Sequence, residues 1–181
     1  MSAIKEKILL LKLKITKSPE AFGELYDLYQ DRIYRFILFK IGNGEEAKDL
    51  TAETFLKCWN HIVQNKPIIN LNALLYSIGR NLVIDYYRKQ NIEKNISEEI
   101  LEIIPDVKAE KVLKNIEVSS ESEAVFTAMD KIESRYKEIL ILKFIDELTN
   151  DEISEITGMS SGNVRVLQHR AMEALKKVLN S

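Results

Sequence analysis

Cysteine is almost missing from this chain: Cys58 stands alone among 181 residues. A single thiol excludes an internal disulfide and fits a reducing compartment, so the cytosol is the expected location. No run of about 18 apolar residues occurs, so membrane insertion is not expected. The N-terminus, MSAIKEKILLLKLKITKSPE, interrupts every apolar cluster with lysine and lacks a small-residue cleavage site. It does not read as a signal peptide; Ile4, Ile8, Leu11 and Ile15 instead form a helical stripe that joins the first domain. Segments of β-alternation, internal repeats and low-complexity tracts are all wanting. The glycines form no phosphate-cradling loop. Cys58 and His61, three apart on a helix, supply two ligands where a zinc site needs more. Neither a metal nor a cofactor is therefore expected, and catalysis finds no support.

Net charge is also small, −2, but unevenly spread. Residues 1–90 carry 14 Lys/Arg against 10 Asp/Glu, residues 91–123 carry 4 against 9, and residues 159–181 carry 4 against 1. Two locally basic ends flank an acidic middle. Nucleic-acid binding needs no more than such local patches, because local charge rather than pI sets the phosphate contact.

Hydrophobic periodicity is helical throughout, predicting an all-α protein of two small helical domains joined by an acidic linker. The expected boundaries are 1–90, 91–119 and 120–181. Ser18-Pro19 opens a helix with Phe22, Leu25, Tyr26, Tyr29, Ile33, Phe36 and Ile37 inward, stopped by Gly42. A second runs from Gly44 through Ala47, Leu50, Thr54, Phe55, Cys58 and Ile62. Lys66-Pro67 forces a loop, and Asn70 caps a third helix with Leu71, Leu74, Leu75, Ile78, Leu82 and Tyr86 inward. The linker holds Ile92, Ile96, Ile100, Leu101, Ile103 and Ile104, too apolar for a purely solvated tether. Beyond it, Val125, Met129, Ile132, Ile139, Leu140 and Phe144 are the expected core of the second domain.

The sharpest local pattern is TNDEISEITGMSSGNVRVLQHRAMEALKKVL, from Thr149 to Leu179. Thr149 with Glu152 is a capping box, Gly158 a helix stop, and Ser160 or Ser161 a new cap. A short helix, a tight glycine turn and a longer helix make a helix-turn-helix. Burying Val164, Leu167 and Ala171 turns Gly162, Arg165, Val166, His169 and Arg170 outward. Two guanidinium groups there suit guanine or phosphate, although a plain helical hairpin also has a solvated face. Similarly, Ser77, Arg80, Asn81, Ile84 and Arg88 line one side of the third helix beside Tyr86 and Tyr87. Cations, an amide and aromatics are what a single strand requires; a solvated face with an Asp85–Lys89 ion pair is the alternative. On the second helix Asp49, Ala52, Glu53 and Lys57 face outward near Trp59, either a docking surface or a solubilising one.

In this order, the motifs resemble the extracytoplasmic-function (ECF) group of sigma factors in the sigma-70 family. FGELYDLYQDRIYRF looks like region 2.1, AKDLTAETFLKCW like region 2.2, and LLYSIGRNLVIDYYRKQ like regions 2.3 and 2.4. The stretch from Ala128 to Leu179 looks like region 4, a helix-turn-helix. The resemblance implies a transcription initiation factor that brings core RNA polymerase to promoter DNA. It implies docking on the β′ clamp helices through Asp49, Glu53 and Trp59, with a further contact to the β flap. It assigns −10 reading to Lys66, Asn70, Ser77, Arg80, Asn81, Asp85 and Arg88, with a flipped base held near the loop from Gln64 to Asn70. It assigns −35 reading to Ser161, Asn163, Arg165, Val166, His169 and Arg170. An anti-sigma factor is a further partner of the family, and the free protein is expected to be monomeric. Ala52 stands where relatives usually have Gln, and Val166 where many have Ser. Two rivals predict other behaviour: a helix-turn-helix repressor or activator would bind duplex DNA without polymerase, and an interaction module would not need Arg165 or Arg170.

Overall fold

The computed structural model describes residues 3–93 and 120–180, with side chains from 7 to 90 and from 124 to 180. Apart from residues 91–93, the expected linker lies outside them. Every regular element described is helical. Helices α1 (Ala3–Thr16), α2 (Pro19–Ile41), α3 (Gly44–Val63) and α4 (Leu71–Glu93) form the first unit. The second comprises α5 (Ser120–Met129), α6 (Ser134–Leu140) running into a π-helical turn (Ile141–Ile145), α7 (Asn150–Thr157) and α8 (Ser161–Leu179).

Local chemistry places the boundaries. Ser18 Oγ accepts the Ala21 N–H at 3.1 Å with Pro19 in the first turn. Gly42 closes α2 at φ 66°, and Asn43 Oδ1 immediately caps α3 by accepting the Glu45 N–H at 3.1 Å. Such a short connection lays α2 and α3 side by side, and α4 packs across both. Leu25, Tyr29, Ile33 and Phe36 of α2 meet Phe55, Cys58 and Ile62 of α3 and Leu71, Leu75 and Val83 of α4 in one core. The end of α2, Phe36 to Ile41, is buried on every side. That is the mark of a helix covered on both faces, and the second unit supplies the other cover: Phe39 lies 5.1 Å from Phe126 between ring centroids.

Two expectations fail here for tertiary reasons. In α1 the predicted stripe points outward, with Ile8 60%, Leu11 59% and Ile15 72% exposed. Leu9 and Leu13 are buried instead. Both rows have helical spacing, and the groove offered by α2 and α3 selects between them. In the second unit, Met129, Ile132, Ile139 and Leu140 are core as expected, but Val125 and Phe144 are exposed. The π turn adds one residue per turn and rotates Phe144 out of register. Val125 and Phe144 line an apolar groove of about 480 Å³ with Phe126, Met129, Ile145 and Met172.

Candidate nucleic-acid and polymerase interface

The helix-turn-helix is built as the pattern predicts. Thr149 Oγ1 accepts the Glu152 N–H at 3.2 Å while Glu152 Oε2 accepts the Thr149 N–H at 2.8 Å. Gly158 adopts φ 74° and donates its N–H to Ser154 O. Ser160, not Ser161, caps α8 by accepting the Asn163 N–H at 3.3 Å. Ser161 Oγ instead donates to Asp151 Oδ1 at 2.9 Å, and Gln168 Nε2 donates to Asn150 Oδ1 at 3.0 Å, tying the two helices together. Val164, Ala171 and Leu175 are buried, with Leu167 partly so. Asn163, Arg165, Val166, His169 and Arg170 all lie on exposed surface. None of these five has its side chain tied up by a described hydrogen bond or ion pair, so the face is free to bind. The N-terminal end of α8 also carries the positive end of its dipole, which suits phosphate.

The residues expected to read the −10 element divide into two sets. Lys66, Asn81, Asp85 and Arg88 are exposed, with Asp85 paired to Arg88 at 3.5 Å rather than to Lys89 as the alternative reading has it. Asn70, Ser77 and Arg80 are half-buried, and two of them face the second unit. Asn70 Nδ2 donates to Glu152 Oε1 at 3.2 Å, and Arg80 Nε lies 3.6 Å from Glu138 Oε1. The single face expected along α4 is therefore interrupted, because α7 packs directly on α4 and α6 brings Glu138 to Arg80.

Three partners in that contact were not expected from the sequence. Asn72 is buried and donates to Glu152 Oε1 at 3.0 Å. Lys40, also buried, lies 2.8 Å from Glu138 Oε1. Asp146 is buried against Tyr76, Arg35 and Arg32. A lysine inside the apolar run FILFKI is the signal that a buried acid must answer it. Burial opposes ionisation of Glu138, but Lys40 and then Arg80 outweigh it and hold the carboxyl below its usual value. Burial likewise opposes ionisation of Glu152, yet the Thr149 N–H, Asn72, the Thr149 hydroxyl and Asn70 together hold it low. Burial pushes Asp146 the other way, up to about 7, against the pull of Tyr76, Arg35 and Arg32.

On α3, Asp49, Ala52 and Glu53 are exposed, Glu53 pairing with Lys57 at 3.1 Å. Trp59 is half-buried, its ring 4.9 Å from that of Phe22. Cys58 sits in the core with its thiol pushed up to about 12 by burial, while His61 Nε2 lies 3.3 Å from Pro67 O.

Residues 25–92 match the family described as Sigma-70 region 2, and residues 122–175 match Sigma-70, region 4. The chain is 32% identical over 167 residues to the ECF RNA polymerase sigma factor SigW of Bacillus subtilis, covering 88% of this chain and 89% of that one. The chain belongs to the ECF sigma factors of the sigma-70 family. A second relative, the B. subtilis ECF RNA polymerase sigma factor SigM, is 29% identical over 87% of this sigma factor and 94% of its own length. The fold matches that of CnrH in complex with the cytosolic domain of CnrY, with TM-score 0.68 at 19% identity over 97% of each chain. It also matches sigma factor RpoE in complex with the anti-sigma factor NepR from Bartonella quintana, with TM-score 0.67 at 20% identity over 88% and 96%. This sigma factor directs RNA polymerase to promoters to begin transcription. No described helix is long and apolar enough to cross a membrane.

Proposed function

We propose that this sigma factor reads the −35 element with Ser161, Asn163, Arg165, Val166, His169 and Arg170. It reads the separated −10 strand with Lys66, Asn70, Ser77, Arg80, Asn81, Asp85 and Arg88. It docks on the polymerase clamp helices through Asp49, Glu53 and Trp59. The reading domains are 1–90 and 120–181, joined by 91–119. The exposed row of Arg165, Val166, His169 and Arg170, opposite the buried Val164 and Ala171, carries this reading. The apolar groove beside Phe144 supports docking of an apolar helix such as the polymerase flap offers. The protein is a cytoplasmic, monomeric, non-catalytic factor.

Asn70 and Arg80 are occupied by Glu152 of α7 and Glu138 of α6, so the −10 set is complete only after both helices leave α4. Two groups in that contact favour parting: Arg35 Nε and Asn72 Oδ1 are buried without a hydrogen bond. Each such group loses free energy relative to water. Polymerase binding would hold the units apart and free the −10 face. An anti-sigma factor, the partner bound to RpoE in that structural neighbour, would oppose this. In-vitro transcription with core polymerase and a promoter library tests the reading. Selected promoters should share −35 and −10 elements at one fixed spacing. Selective binding by the isolated protein, with no start site directed on core polymerase, would favour an ordinary helix-turn-helix regulator.

A further inference from the structure

Helix α1 precedes the residues that match region 2, yet it reaches the loop between α3 and α4. Leu9 and Leu13 seat it on the first unit. From that seat Lys14 Nζ donates to Ile68 O at 3.0 Å, and Lys17 Nζ donates to Val63 O at 3.1 Å. The two bonds span 54 and 46 residues of sequence, so they fix the loop to a separate helix rather than to itself. Lys17 is itself set by a left-handed backbone, φ 46°, at the end of α1.

The acceptors lie near the two ends of the loop. Val63 O belongs to the last turn of α3, where carbonyls lack helical partners and the dipole favours a cation. Ile68 is buried and anchors the far end, while its neighbour Ile69 is 91% exposed. Between them, Asn65 takes φ 54° and the Lys66 N–H returns to His61 O at 3.2 Å. Asn70 Oδ1 then accepts the Ala73 N–H at 3.0 Å and starts α4. With Lys14 and Lys17 in place, a stretch that carries Lys66 and Asn70 is held in one shape. A loop ordered in advance loses less entropy when it takes a ligand.

We propose that Lys14 and Lys17 are positioning residues for −10 recognition: they clamp the 63–70 loop from outside region 2, so that the pocket for an unstacked base exists before DNA arrives. The inference rests on the reading of this loop as the −10 pocket. Neither lysine contacts the base.

The test uses the full chain with core polymerase. The Lys14→Met/Lys17→Met variant should show faster amide exchange at residues 64–70 with unchanged protection in α2, α3 and α4. Open-complex formation should slow about tenfold, less than two buried charged hydrogen bonds would be worth, because Lys14 is exposed and Lys17 only half-buried. Discrimination among −10 base substitutions should narrow, while the −35 footprint and core association hold. Lys14→Arg/Lys17→Arg should restore both exchange and discrimination, and Lys12→Ala, whose partner is Glu24, should change neither. Unchanged loop exchange overturns the clamp. Faster exchange with unchanged promoter opening overturns its role in positioning. A uniform loss on all −10 sequences with a lower salt dependence would make the lysines phosphate contacts and overturn it too. If Lys66→Ala and Asn70→Ala leave −10 selectivity intact, the pocket reading itself fails, and the exchange data show separately whether the clamp exists.

Discussion

At the scale of single residues, the proposed recognition face of α8 is defined by what the fold leaves unused. Arg165 and His169 lie one turn apart, as do Val166 and Arg170, which makes two adjacent rows on the exposed side. Val166 is 51% exposed, and no packing demand keeps a β-branched apolar residue there. A thymine methyl is a fitting contact for it. Arg165→Ala should weaken binding of the −35 element by about 1–3 kcal/mol and relax selectivity at one base position. Competition footprints on core polymerase with single-base −35 variants would measure it. An equal loss on every sequence would mark Arg165 as a phosphate contact. Gly162 sits one turn earlier, where an added Cβ meets nothing nearer than Ser160 Oγ at 4.0 Å. Gly162→Ala should therefore leave the thermal midpoint unchanged or slightly higher, since alanine is the better helix former. A clear fall in that midpoint would contradict the open space seen around it.

At the scale of elements, the helix-turn-helix depends on its punctuation. A Cβ at Gly158 would meet no neighbour within 4 Å, so the cost of replacing it comes from the left-handed backbone alone. Gly158→Ala should lose about 1–2 kcal/mol of stability, and Gly158→Asn should lose less because Asn tolerates that conformation. Denaturant melts of the full chain would check the order, and equal losses would move the cause to packing. These elements were legible in the sequence because their signals are local: Thr149 with Glu152, Gly158, Ser160, and Ser18 with Pro19 each act within one helical turn. What the sequence concealed depends on partners far along the chain. Leu9 and Leu13 compete with Ile8, Leu11 and Ile15 at the same spacing, and only the α2–α3 groove decides between them. Asn70 and Arg80 read as free DNA-facing groups because Glu152 and Glu138 lie 82 and 58 positions away. The carboxylate that caps α7 also accepts from Asn70 and Asn72, a double use that a capping box by itself does not announce.

At the scale of the whole molecule, the contact between the units is also a titration. Asp146 is buried where Tyr76, Arg32 and Arg35 face it, and its carboxyl is pushed from an ordinary 3.8 up to about 7. Separation of the units would return it to water and toward its ordinary value. The closed arrangement thus binds a proton that the open one releases. Below 3.8 the carboxyl is protonated in both, and its contribution to closure is fully present. As pH rises through the window from 3.8 to about 7 that contribution is lost, because the closed form must then hold an ionised buried carboxylate. Glu138 and Glu152, both held below their usual values, favour closure while ionised and lose that contribution only as pH falls, so they work in the opposite direction. Near neutral pH, Asp146 is the carboxylate in the contact that matters. Taking the free protein from about pH 5.5 to about pH 8 should open it, read as a longer distance between fluorophores on α3 and α8. Asp146→Asn, which keeps the shape without the charge, should stay closed across the range. If it opens with the same pH dependence as the parent, a different group drives the separation.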